Sequence, residues 1–128
     1  MTFKGVDHIV VRVKDLDAGI ANWRDNFGLT LDRTSESVEL GMKQAFFNLD
    51  NGGFIEVVAP LSDDSPLAKA IESRGEGLHV MAMEVEDRDA TAKQLEANGV
   101  KLIGVGTSQV FIHPKSANGI LVQLTPKA

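Results

Sequence analysis

Three side chains in this 128-residue chain, His8, Glu56 and Gln123, are of types that could gather a cation. An imidazole nitrogen with a carboxylate and an amide oxygen suits a borderline-hard divalent ion such as Zn, Co, Mn or Ni. The three lie far apart in the sequence, so only separate strands can bring them together. Spacing alone leaves a second reading open, in which His8 and Glu56 form a hydrogen-bonded pair without metal.

The elements that would position them follow from pattern. Val6 to Val13 reads as a buried strand, rich in β-branched residues. A helix from about Leu16 to Phe27 follows, with Asp15 or Asp17 as cap and Leu16, Ile20, Trp23 and Phe27 as its core stripe. Strands near Leu29–Ser35, Lys43–Leu49 and Phe54–Ala59 come next, and Asp50 to Gly53 makes a hairpin turn. Ser65-Pro66 opens a short helix ending near Arg74. The pattern then repeats: a strand over Leu78–Val85, a helix over Asp87–Asn98, and strands near Val100–Val105, Gln109–His113 and Ile120–Thr125. This predicts an α+β fold of paired βαβββ modules in one domain over 1–128. Module one covers about 4–60, a linker helix about 65–74, and module two about 77–126.

Strand parity then sorts the side chains. Ile9, Val11, Val13, Ile55, Val57, Met81, Met83, Val85, Ile120, Val122 and Leu124 share an apolar face that should pack under helices. The opposite face mixes His8, Arg12, Gln44, Glu56 and Gln123 with Phe46, Phe54 and Val80. Polar groups set among apolar walls are what a concave ligand pocket needs.

Composition excludes other classes. The chain has no cysteine, hence no disulfides, thiolate metal site or Cys nucleophile. Its formal charge of -5 and lack of a basic patch argue against nucleic acid. No apolar run reaches membrane-spanning length and no leader pattern opens the chain, so a soluble cytoplasmic protein is expected.

Four segments resemble the vicinal oxygen chelate superfamily, which includes glyoxalase I, extradiol dioxygenases and bleomycin-resistance proteins, and within it the methylmalonyl-CoA epimerase branch. They are Val6-Asp7-His8-Ile9-Val10 with Asn26-Phe27-Gly28-Leu29, then Phe54 to Leu61, then Arg74-Gly75-Glu76-Gly77-Leu78-His79, and finally Phe111 to Ser116 with Gly119 to Leu124. The resemblance implies a U-shaped, mostly antiparallel sheet around a divalent metal, a homodimer, and proton exchange beside the carbonyl of a small acyl-CoA. The family's first two ligands fall on His8 and Glu56. Its third falls on Val80, and its fourth, a glutamate, on Gln123. The two catalytic carboxylates fall on Gln44 and Gln123, whose amides cannot exchange protons at neutral pH. Arg12, Phe46, Phe54, Val80, His113, Lys115 and Ser116 are the candidate ligand contacts, the last three as a seat for a CoA-like phosphate or simply as a turn.

The expected function is therefore an isomerase or lyase acting on a small acyl-CoA or a hydroxy or keto acid, with a partly degenerate metal site. The alternative is a metal-free small-molecule binding protein of the bleomycin-resistance type, with a ligand held between Phe46, Phe54 and Val80. A third reading is a non-catalytic partner of an acyl-CoA enzyme.

Overall fold

In the computed structural model, residues 3–126 are described. Strand β1 (Phe3–Arg12) leads into helix α1 (Leu16–Ile20), which continues as a π-helical turn over Ala21–Asn26. Strands β2 (Leu31–Ser37), β3 (Met42–Asn48) and β4 (Phe54–Pro60) follow, then α2 (Pro66–Arg74). The second run is β5 (Gly77–Val85), α3 (Arg88–Ala97), β6 (Leu102–Ile103), β7 (Phe111–Ile112), a 3-10 turn (Pro114–Ser116) and β8 (Val122–Pro126). The fold is thus α+β, an open eight-stranded sheet with few helices, and the strands hydrogen-bond in the order β2-β3-β4-β1-β5-β8-β7-β6. Among the described residues no helix is long and apolar enough to cross a membrane.

Local signals start and stop the elements as the sequence leads one to expect. Asp15 accepts from the Asp17 amide, Ser65 Oγ from the Ala68 amide and Asp87 from the Ala90 amide, each satisfying an orphan donor at a helix start. Asn51 accepts from the Gly53 amide in the β3–β4 turn. α2 stops at Gly75, whose φ of 77° a residue with a Cβ adopts only under strain.

The chain forms two compact units. One runs Ile9–Leu78; the other joins the residues up to His8 with those from His79 onward, so β1 and β5 each pass through both. In the Ile9–Leu78 unit, β2, β3 and β4 pair antiparallel with Ala45 opposite Val57 and Phe46 opposite Glu56. Their apolar face closes a core of Val13, Ile20, Ala45, Phe47, Ile55, Val57 and Ala59. α1 lies across β3 and β4, where Gly19 leaves no room for a Cβ, which would stand 3.0 Å from Val13 Cγ2 and 3.1 Å from Val57 Cγ1. In the other unit β8 runs parallel to β5, with β7 antiparallel beside it. Val85, Ala92, Val110, Ile112, Val122 and Leu124 make the core there, with Met81, Met83 and Ile120 packed against it. The apolar face read from parity is therefore the core face.

Three expectations need correction. The first helix does not keep one register to Phe27: from Ala21 the bonding widens, and the Phe27 amide donates to the Asn22 carbonyl at 3.1 Å. The wider turn carries Phe27 off the buried stripe. It is 57% exposed, its ring edge-on to Trp23 at 5.0 Å. The strands expected near 100–105 and 109–113 shrink to two residues each. Between them the chain turns on itself: the Thr107 amide and hydroxyl both donate to the Gly104 carbonyl, and a Cβ on Gly104 would collide with the Gln109 carbonyl. Backbone groups used in that turn are not offered to a ladder.

Phe47 is fully buried. Replacing Phe47 with Ala should cost about 3–5 kcal/mol in urea denaturation, while Phe27→Ala should stay within about 1 kcal/mol. Equal losses would place Phe27 in the core after all.

Candidate functional site

On the non-core face of the Ile9–Leu78 unit, antiparallel register sets Ser35 opposite Gln44, and Phe46 opposite Glu56. Gln44 is used at both ends. Its Oε1 accepts from Ser35 Oγ at 2.7 Å, and its Nε2 donates to Glu56 Oε2 at 3.1 Å. The hydroxyl thus fixes which way the amide faces, and the amide fixes one oxygen of the carboxylate. Beside this row Phe46 and Phe54 pack at 6.0 Å with their rings inclined by 52°. The register shift between Leu31 and Arg33 brings Arg33 opposite Phe46, and its guanidinium carbon sits 3.8 Å from the Phe46 ring centre. The face is a short polar row flanked by an aromatic wall with a cation upon it.

In the other unit, His8 Nδ1 lies 2.8 Å from Asp7 Oδ2. A carboxylate there favours the tautomer protonated at Nδ1, which leaves Nε2 as the acceptor nitrogen of the ring. Gln123 stands opposite Ala82 on one side and Phe111 on the other. Its Nε2 donates to Gln109 Oε1 at 3.2 Å, which turns the donor end of the amide toward Gln109. Val80 is buried, 7% exposed.

The remaining candidates have local duties. Arg12 is buried, and its Nε and Nη1 donate to the carbonyls of Gly75 and Leu78, so it ties β1 to the segment between α2 and β5. His113 Nδ1 accepts from the Lys115 amide and caps the 3-10 turn, and Ser116 Oγ accepts from the Lys101 amide. Those bonds account for His113 and Ser116 as turn residues, while Lys115 is exposed. Asp7, Ser35, Arg33 and Gln109 escaped sequence reasoning. Ser35 and Arg33 could have been found from the β2–β3 register, had the bulge been foreseen. Gln109 reaches Gln123 from a turn that parity does not describe.

Among the described residues no three His, Asp or Glu side chains gather where they could hold a metal. Of the donors that the resemblance assigns to an ion, Glu56 belongs to the Ile9–Leu78 unit, and His8 and Gln123 to the other. Each of the three is held by a second polar group, His8 by Asp7, Glu56 by Gln44 and Gln123 by Gln109. Outer partners of that kind orient metal ligands and raise their donor strength. Taken one by one, these donor types suit a borderline-hard divalent ion.

Residues 7–116 match the family model described as the glyoxalase/bleomycin resistance protein/dioxygenase superfamily. An ethylmalonyl-CoA/methylmalonyl-CoA epimerase of Cereibacter sphaeroides is 31% identical over 128 residues, covering 93% of this chain and 95% of that protein. The crystal structure of methylmalonyl-CoA epimerase from Mycobacterium tuberculosis superposes with a TM-score of 0.86 at 32% identity, over 99% of this chain and 90% of that one. A Streptomyces coelicolor methylmalonyl-CoA epimerase variant in complex with 2-nitronate-propionyl-CoA gives 0.86 at 29% identity, over 99% of each chain.

Gln44 is the hinge of the polar row. Gln44→Leu removes the acceptor of Ser35 Oγ and a donor to Glu56, and should lower stability by about 1–3 kcal/mol in urea unfolding. Pairing it with Ser35→Ala should cost less than the sum of the two single changes, since both break the same bond. Full additivity would show that the row is not a network.

Proposed function

We propose that this chain, which belongs to the glyoxalase/bleomycin resistance protein/dioxygenase superfamily, binds a small acyl-CoA thioester and acts as an isomerase at the carbon beside its carbonyl. The observation that carries the reading is the 31% identity to an ethylmalonyl-CoA/methylmalonyl-CoA epimerase over 93% of this chain; within each unit, His8, Glu56 and Gln123 also have an orienting polar partner. The likeness to acyl-CoA epimerases along nearly the whole chain supports the substrate class.

The roles divide as follows. His8, through Nε2, Glu56 and the amide oxygen of Gln123 would hold a divalent ion, Zn, Co, Mn or Ni. When bound, that ion supplies Lewis-acid polarisation of the thioester carbonyl. Asp7 keeps the imidazole in its tautomer, and Gln44 keeps the Glu56 carboxylate turned. Phe46 and Phe54 exclude water from the acyl group. Gln44 and Gln123 occupy the places of proton-exchanging groups, but an amide neither takes up nor gives a proton at neutral pH. They orient the substrate, and proton exchange in the natural chain is correspondingly slow.

A second reading, a metal-free small-molecule binding protein of the bleomycin-resistance type, is favoured by the aromatic wall of Phe46 and Phe54 with Arg33 upon it. Such a wall holds a flat or apolar ligand without any ion.

Titration calorimetry with methylmalonyl-CoA, with and without added Mn, should show binding that weakens on either His8→Ala or Glu56→Ala. Solvent deuterium should enter the position beside the carbonyl slowly, and Gln44→Glu should speed its entry about a hundredfold or more by supplying a base. Absence of binding by the natural chain would sink the reading. Binding indifferent to metal and to His8→Ala would put the second reading in its place.

A further inference from the structure

Arg12 carries a feature that the polar row does not explain. Its residue surface is only 6% exposed, yet among the described residues no carboxylate lies within ion-pair distance of its guanidinium. Buried cations are ordinarily paired, because taking a charge out of water is costly unless an opposite charge or several hydrogen bonds replace the water. Nε and Nη1 have carbonyl partners, Gly75 and Leu78. Nη2 has no partner among the described residues, and Gly77 passes beside it with no side chain, where a Cβ would stand 3.9 Å away. The carboxylate of Glu76, adjacent in the same segment, accepts instead from the Lys14 amide at 2.8 Å.

The carbonyl end of α2 offsets part of the Arg12 charge. A second cation works against that relief: Arg74 sits in the last turn of α2, exposed and without an ion pair among the described residues. Burial first, and then the charge of Arg74, lowers the Arg12 pKa. Two cations thus lie near the end of one helix, Arg12 through its bond to the Gly75 carbonyl and Arg74 as the residue before it, neither of them ion-paired among the described residues.

We propose that Arg12, through Nη2, and Arg74 together receive an oxyanion, a carboxylate or a phosphate group, at the junction of α2 and β5. Nη2 of Arg12 offers its N–H donors and Arg74 a whole guanidinium fork, and a charge-assisted bond is stronger than a neutral one. The site requires only an oxyanion, so it stands or falls apart from the thioester reading.

Thermal melts in chloride, against inorganic phosphate and against malonate at matched ionic strength, test it on the full chain. A saturable rise in Tm is expected for the natural protein with at least one of the two. Apparent affinity should fall about tenfold or more in Arg74→Gln, an exposed position whose variant should fold, and in Arg12→Lys, which keeps the charge but loses the Nη2 donors. Preference for malonate identifies a carboxylate-bearing ligand, and preference for phosphate a phosphate-bearing one. Competition by methylmalonyl-CoA but not propionyl-CoA would place the acyl carboxylate there. No saturable rise, or an Arg74→Gln variant that responds as the natural chain does, overturns the proposal.

Discussion

A strand side chain shares its face with residues two positions away, so each apolar residue committed to the helices fixes the side on which its polar neighbours must emerge. Ile55 and Val57 belong to the core beneath α1, which leaves Glu56 on the far side. Ala45 and Phe47 do the same for Gln44 and Phe46. In the other unit Val122 and Leu124 commit Gln123. The functional groups are thereby placed by hydrophobic burial, a term far larger than any hydrogen bond they make afterwards. A one-residue slip of β3 or β4 would bury Gln44 or Glu56 without water and is excluded on that ground.

Within that constraint the sequence is readable in proportion to how local the deciding interaction is. The caps are decided within three residues: Ser65 and Asp87 stand as read, and of the two candidates Asp15 and Asp17 it is Asp15 that caps. The core face is decided by alternation along single strands, and it stands too. What was not legible depends on groups that meet from afar or on a register that no period announces. The π turn over Ala21–Asn26 shares the residue preferences of an ordinary helix, so Phe27 read as core although it is exposed. The bonds of Arg12 to Gly75 and Leu78 join residues more than sixty positions apart, and nothing in the vicinity of Arg12 foretells them. Gln109 looked like strand because Val110, Phe111 and Ile112 follow it, whereas the Gly104–Thr107 turn places it outside the ladder.

The chemistry rests on amides standing where the resemblance leads one to expect carboxylates. That change is not a simple loss. A carboxylate at Gln44 would face Glu56 across the present 3.1 Å contact, and two like charges at that distance repel unless a proton or a cation lies between them. The Gln44 amide instead gives Glu56 a hydrogen bond and takes one from Ser35. The polar row exchanges proton-transfer capacity for a geometry that holds itself together. The Gln123–Gln109 contact follows the same logic with two amides.

An amide also carries its two N–H groups at every pH a protein survives, so the contact from Gln44 to Glu56 depends on the charge of one partner only. Orientation bought from a second carboxylate would vanish or strengthen as that group titrated. Gln44 and Glu56 are therefore positioned before any ligand arrives, which lowers the ordering cost of binding there. Binding energy kept in this way favours the ground state and the transition state alike, and only interactions that strengthen as charge develops accelerate a reaction. A site made of prepositioned amides is thus shaped first for holding a ligand.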